Sequence, residues 1–139
     1  MPADLNLDDR AMRAALQRAR VIAVVGHSAS PARTSYRIAQ FLRQVGYIVY
    51  PVNPTVAVID GEPSYPALAD VPAPIDIVNV FRRSEYLPGV VDDAVAVKAG
   101  TVWAQLGVFD HAAGEKALRA GLNVAMNVCI KVEYLRLLG

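Results

Sequence analysis

Apolar residues in this chain fall into two alternating patterns. Nearly unbroken apolar runs occur at Val21–Val25 and at 47–52, 75–81, 101–105 and 122–126. Between them, apolar residues recur at the i, i+3, i+4, i+7 spacing of one helix face. The sets are Met12, Ala15, Leu16 and Ala19; Ile38, Phe41, Leu42 and Val45; Leu87, Val90, Val91 and Ala94; Ala117 and Leu118; and Ile130, Tyr134, Leu137 and Leu138. The runs predict strands buried on both faces, as in a parallel sheet, and the spaced sets predict helices packed over them. The alternation predicts an α/β fold, a doubly wound parallel sheet of about five strands with right-handed crossovers and helices on both faces. Val21–Val25 is expected at its centre.

Punctuation refines the boundaries. Asn6 is expected to cap the first helix with Asp9 in its first turn, and the second helix to start near Thr34 and Ser35 and end before Gly46. Pro51 has no N–H for a ladder, so regular pairing is expected to fail there, and Asn53-Pro54 reads as a turn. Residues 55–74 carry Gly61, Pro63, Pro66, Pro72 and Pro74 and read as mostly irregular, with a short strand within 56–59 and a helical turn at 67–69. Ser84 is expected to cap the third helix, ending at Gly100, and Asp110 the fourth, ending at Gly121. Trp103 is expected in the core.

The first run ends in Gly26-His27-Ser28-Ala29-Ser30 and leads into a helix start. Strand, tight turn and helix N-terminus together make an anion site, because backbone N–H groups point outward there and the helix dipole favours negative charge. The plainer alternative is that Gly26 only makes the turn. The loop is not G-x-G-x-x-G, since Ser28 stands at the second glycine. The second strand ends at Asn53, where dinucleotide enzymes place an acidic residue on the ribose. No Lys-Ser or Lys-Thr follows the glycine, as a P-loop requires. Both departures argue against an NAD(P)-dependent oxidoreductase.

Composition acts mainly by exclusion. A chain of 139 residues is expected to form one domain, 1–139, large enough to stand without disulfide or metal. Its net charge of +1 gives no bulk attraction to nucleic acid or a membrane surface. No apolar run approaches the roughly 20 residues of a membrane span. A single cysteine fits a reducing compartment, and the acidic residues of 1–9 do not resemble a signal peptide, so cytoplasm is the expected location. His27 and His111 are far apart and outside metal-ligand spacing. No metal site is expected, and the His27 ring is read as free to face solvent. Cys129 is expected to be a small buried hydrophobe, and Tyr36 and Phe41 to be core.

In their order and spacing, VIAVVGHSASPARTSYR, GYIVYPVNP, YPALADVP followed by IDIVNVFRRSE, VWAQLGV and AGLNVAMNVCIKVEYLRL resemble the small stand-alone CoA-binding proteins. Their Rossmann-like domain is similar to the CoA-binding domain of the succinyl-CoA synthetase α subunit. The resemblance covers almost the whole chain. It implies a protein that binds CoA or an acyl-CoA, with coenzyme A as the small-molecule ligand. By position it implies that Gly26, Ser28, Ala29 and Ser30 wrap the CoA phosphates with Arg33 beside them. Pro51, Val52 and Asn53 would line the adenine side, with Val80, Phe81 and Arg82 beside the nucleotide. Gln105 would stand where the pantetheine arm leaves.

Two departures stand out. Relatives often read Asn-Pro-Lys after the second strand, with a lysine able to meet the CoA 3′-phosphate; here the residue is Thr55, whose hydroxyl can still donate. Relatives often read Met-Asp-Arg-Cys and later Glu-His; this chain has Met126-Asn127-Val128-Cys129 and Glu133-Tyr134, which removes most ionisable groups of that motif. Without a nucleophile–base pair or metal set, no catalytic residue and no catalysis by this chain alone are expected. The competing functional classes are a small oxidoreductase and a module that senses an adenine nucleotide.

Overall fold

The computed structural model describes residues 2–139. In chain order the elements are α1 (Asp9–Arg18), β1 (Val21–Val25), α2 (Thr34–Gln44), β2 (Ile48–Val52), β3 (Val58–Ile59), β4 (Glu62–Pro63), β5 (Ile77–Val80), α3 (Leu87–Ala96), β6 (Thr101–Ala104), α4 (His111–Arg119), β7 (Asn123–Ala125) and α5 (Ile130–Leu138). β1, β2, β5, β6 and β7 form one parallel sheet in the order β2-β1-β5-β6-β7, and β3 and β4 form a separate antiparallel ribbon. This is the doubly wound, Rossmann-like α/β fold.

Successive side chains of a strand point to opposite faces, and each face carries its own core. Ile22 and Val24 of β1 pack with Met12, Leu16, Leu42, Trp103 and Ile130, under α1, α2 and α5. Ala23 and Val25 pack with Val78, Val80, Val91 and Ala117, under α3 and α4. Trp103 is fully buried, as its place in an apolar run implies. No helix is long and apolar enough to cross a membrane among the described residues.

The place of β1 needs one correction. It is internal, paired to β2 on one side and β5 on the other, but the middle strand is β5. The chain steps from β1 to β2 in one direction and then back past β1 to β5, β6 and β7 in the other. The reversal lies between β1 and β5, and it is there, beyond the strand carboxyl ends, that such sheets take ligands.

Pairing also survives Pro51, which stays in register with Val24. The Pro51 carbonyl accepts from Tyr65 N at 2.9 Å, on the side away from β1, and its missing N–H faces that same outer edge. A proline is tolerated at such an edge because no sheet partner needs its N–H. At the opposite edge, Val124 N donates to Ala3 O at 3.1 Å, so both edges are covered.

Three cap assignments change. Asp8, not Asn6, caps α1, accepting from Ala11 N at 3.0 Å. Asn6 instead ties the N-terminal segment to the end of β7, donating to Met126 O and accepting from Met126 N, both at 2.8 Å. Ser84 opens a 3-10 turn ahead of α3, and its hydroxyl accepts from Phe109 N at 2.9 Å rather than capping the helix. α3 ends at Ala96 with Lys98 at φ 57, before Gly100. Gly100 is needed for a different reason: a Cβ there would lie 3.0 Å from Asp76 O.

Candidate functional site

The loop after β1 is fixed from both sides. Gly26 N donates to Val52 O at 2.9 Å and Phe81 N donates to Val25 O at 2.8 Å. Gly26 has φ 88, and a Cβ would approach Phe81 O to 3.1 Å and Arg82 Cγ to 3.3 Å. Both the backbone conformation and the space therefore demand glycine. Ser28 N donates to the Ser35 hydroxyl and Ser30 N to the Ser28 hydroxyl, each at 3.0 Å. The loop thus folds onto the start of α2. That helix begins at Arg33 in extended backbone, with no side-chain cap. Its first N–H groups lack intrahelical acceptors, and this leaves a positive helix end beside the loop. Among the described residues, neither Arg33 nor Arg82 is in an ion pair.

His27 does not face solvent. It is fully buried, with Nδ1 2.7 Å from Ser28 O and Nε2 3.4 Å from both terminal nitrogens of Arg43. This pattern makes Nδ1 the donor and Nε2 the acceptor. Burial lowers its pKa from the usual 6.5, and the Arg43 charge acts the same way. The Ser28 carbonyl and Asp60 pull in the opposite direction. The ring braces the loop from behind, with Tyr36 edge-on at 6.0 Å.

A cleft of about 430 Å³ opens at the strand carboxyl ends. Its walls are Val25 and Gly26, the 52–55 turn, Pro66 to Leu68 on the segment along β2, Phe81 to Arg83 after β5, and Tyr86, Val90 and Asp93. The Arg82 guanidinium lies 4.1 Å above the Tyr86 ring centroid, a cation–π arrangement that holds a cation at the cleft without neutralising it. Arg83 is paired to Glu85 at 3.2 Å and to the Tyr86 hydroxyl at 3.2 Å.

Asn53 has a larger structural role than its position suggested. Its amide nitrogen donates to His27 O at 2.9 Å, and its Oδ1 accepts from Thr55 N at 3.0 Å and the Thr55 hydroxyl at 2.7 Å. The side chain ties the β2 turn to the β1 loop. The Thr55 hydroxyl proton, expected to be free for a phosphate, is committed to Asn53.

A second cleft, of about 480 Å³, lies beside the first and shares Phe81, Arg82 and Arg83 with it. Thr34, Gln105 to Val108 and Cys129 complete it. Cys129 is half-buried at this wall rather than enclosed in the core. Gln105 is 5% exposed, and its Oε1 accepts from Asn79 Nδ2 and Ile130 N, each at 3.3 Å.

Of the positions singled out in the sequence, Gly26, Val52, Asn53, Phe81 and Arg82 meet in the first cleft. Gln105 joins Phe81 and Arg82 in the second. Ser28, Ala29, Ser30 and Arg33 form the loop and helix start that continue from Gly26 and line neither cleft. Pro51 and Val80 do not reach either cleft: Pro51 faces the strip between β2 and Tyr65, and Val80 is fully enclosed beneath α3. Both belong to the packing that sets the walls. Sequence reasoning passed over Tyr86 and the Pro66–Leu68 wall. The spacing of Arg82 and Tyr86, four apart, was the available signal for the first; nothing local signals the second. Among the described residues, no group of three or more His, Cys, Asp or Glu is placed to hold a metal ion.

Residues 20–135 match the family model described as a CoA binding domain. The protein YneT of Bacillus subtilis (strain 168) is 43% identical over 119 residues, covering 86% of this chain and 88% of YneT. The solved structure of a hypothetical protein from Pyrococcus horikoshii OT3 superposes with a TM-score of 0.92 at 34% identity, covering 100% of this chain and 98% of that one. Acetate–CoA ligase [ADP-forming] I of Archaeoglobus fulgidus is 29% identical over 89 residues, which are 58% of this chain and 13% of the ligase. With the glycine loop, the switch-point cleft and this match over most of its length, the chain belongs to the CoA-binding domain family.

Proposed function

We propose that this protein binds CoA or an acyl-CoA and is not itself a catalyst. The observation that carries the reading is the start of α2. It is a helix N-terminus without a capping side chain, preceded by a glycine turn and flanked by unpaired Arg33, at the switch point of the sheet. Those features suit a diphosphate, which accepts from backbone N–H groups and meets a cation. The adenine nucleotide occupies the first cleft, within the usual size range of ligand sites. Membership in the CoA-binding domain family supports the choice of ligand.

The non-catalytic part of the reading rests on how the reactive side chains are used. The imidazole of His27 is enclosed, and both its nitrogens are engaged behind the loop. An NAD-type site is disfavoured because Asn53, at the ribose position, spends its amide on His27 O and Thr55.

A thermal-shift panel of CoA, acetyl-CoA, NAD, ATP and AMP tests this, because a ligand that binds only the folded state stabilises it, by about 2.7 kcal/mol at a hundred times Kd. CoA and acetyl-CoA are expected to raise Tm most. A larger shift with NAD would replace the reading by an oxidoreductase, and one with AMP alone by a nucleotide sensor.

A further inference from the structure

The first cleft suits an anion, yet its wall contains a carboxylate. Tyr86, Val90 and Asp93 recur at the i, i+4, i+7 spacing and all three line the cleft, so one face of α3 forms that wall. Two successive aspartates of α3 are used differently. Asp92 forms an ion pair with Lys116 of α4. Asp93 forms none among the described residues. Its charge repels a phosphate, so its distance from the phosphate end of the cleft is informative. Arg82 marks that end. A Cβ on Gly26 would meet Arg82 Cγ at 3.3 Å, and the Arg82 guanidinium lies over the Tyr86 ring. From Tyr86 to Asp93 the helix rises about 10 Å. Between the two, the lining is apolar: Val90 on α3, with Pro66, Ala67 and Leu68 on the segment along β2. Leu68 and Val90 are buried in the same core cluster, which closes the slot behind them.

Given the CoA reading above, on which this step rests, a nucleotide held by its diphosphate at the Gly26 loop extends first its ribose and then its base along this slot. We infer that Asp93 selects the base: its carboxylate accepts a hydrogen bond from the exocyclic amino group of adenine. An ionised carboxylate only accepts, so it needs a donor. The adenine ring nitrogens are acceptors, and the amino group is the donor at the end of the nucleotide farthest from the diphosphate. The ribose 2′-hydroxyl is the other donor, and it lies nearer the phosphates. Guanine has a carbonyl oxygen where adenine has the amino group, which would set oxygen against oxygen. The apolar walls bury any purine alike. A site that hydrogen-bonds one group rejects the analogue lacking it far better than an apolar pocket does. The base also shields Asp93 from water, which strengthens the bond.

Calorimetry on the full chain tests this with three ligands: CoA, its analogue with an unsubstituted purine in place of adenine, and 2′-deoxy-CoA. The purine analogue lacks the amino group and keeps every ring nitrogen. Wild type should prefer CoA to it by about tenfold or more, the worth of one charge-assisted hydrogen bond. In Asp93→Ala that preference should vanish, through weaker binding of CoA and not through tighter binding of the analogue alone. Asp93→Asn keeps an acceptor without the charge and should retain a smaller preference. Asp93 is exposed on its helix, so the fold does not depend on it. Each comparison is also between two ligands on one protein, so a change in the folded fraction cancels. Equal affinities for CoA and the purine analogue in wild type, or a preference that survives in Asp93→Ala, would overturn the assignment and leave the CoA reading standing. A loss with 2′-deoxy-CoA that depends on Asp93, in place of the loss with the purine analogue, would move the carboxylate to the ribose and overturn base selection. Absence of CoA binding by wild type would remove both readings.

Discussion

Among the described residues, five α-helices begin at the carboxyl end of the sheet, and they begin in two ways. α1 and α4 are capped by aspartates: Asp8 accepts from Ala11 N at 3.0 Å and Asp110 from Ala113 N at 2.9 Å. α2, α3 and α5 have no cap from their N-cap side chain; α3 continues from the 3-10 turn at Ser84–Tyr86, and the first N–H of α5, Ile130 N, donates to Gln105 Oε1. These three helices are the ones that border the clefts, through Thr34, through Tyr86 and Val90, and through Cys129. A carboxylate cap satisfies the first N–H groups and neutralises the helix end. A helix end that is to receive an anionic ligand cannot carry one. The caps thus set α1 and α4, closed for stability, against α2, whose end is left open for binding.

The most direct test of this division is to close an open end. Arg33 already has the extended backbone of an N-cap, φ −85 and ψ 146. Arg33→Asp should cap α2 and hold or raise the unfolding midpoint. It should also weaken CoA by about a hundredfold or more, since a charge-assisted contact of about 1.5–3 kcal/mol is lost and a like charge is added. Arg33→Ala should cost about 10- to 100-fold. Calorimetry beside denaturant unfolding checks both halves. Unchanged CoA affinity in Arg33→Asp would place the diphosphate elsewhere. Gly26→Ala attacks the same loop through its backbone. With φ 88 and Phe81 O only 3.1 Å from a new Cβ, it should cost about 1–3 kcal/mol of stability, read by chemical denaturation.

The reverse change opens a closed end. Asp110→Ala should lower stability by about 1 kcal/mol, the usual worth of an N-cap, and leave CoA affinity alone. Loss of CoA binding in this variant would join α4 to the site and undo the division. Asp110 was legible as a cap because its aspartate precedes a helical pattern with no competitor. At the N-terminus, Asp4, Asn6, Asp8 and Asp9 all compete, and only the Asn6 contacts to Met126, far along the chain, decide in favour of Asp8. The strands and both core faces were readable because period and apolarity are local. The Asn53 tie to His27 and Thr55, the buried His27 ring and the Gln105 contact to Ile130 depend on residues brought together only by folding.

A smaller effect concerns the brace behind the loop. Burial lowers the pKa of His27 from 6.5, while the hydrogen bond to Ser28 O offsets part of that shift. In the unfolded chain the ring takes its proton near 6.5, and in the folded chain only at lower pH. The unfolded state therefore binds more protons over that interval. The stability due to the neutral ring is complete above pH 6.5 and is lost as pH falls through the folded value. Wild type should lose stability below pH 6.5 more steeply than His27→Gln, the carboxylates being common to both. Parallel unfolding curves across that range would mean the imidazole is not held neutral by the fold.

The smallest expected difference is between CoA and dephospho-CoA. Thr55 stands where a lysine would meet the 3′-phosphate, and its hydroxyl donates to Asn53 Oδ1 at 2.7 Å, so it offers neither charge nor a free proton. A phosphate at the mouth of the cleft stays hydrated, and even an exposed ion pair contributes at most about 1 kcal/mol. The two ligands should bind wild type within about tenfold, and Thr55→Lys should create a preference for CoA. Arg82 is the residue placed to upset this. Its guanidinium is exposed over the Tyr86 ring, in the same cleft as Thr55, and is free to grip a phosphate with two N–H groups. Titrating both ligands into wild type, Thr55→Lys and Arg82→Ala separates the cases. A wild-type preference for CoA beyond about tenfold (about 1.4 kcal/mol) that vanishes in Arg82→Ala would assign the 3′-phosphate to Arg82. The open side of the cleft would then carry a specific cation as well as the open helix end.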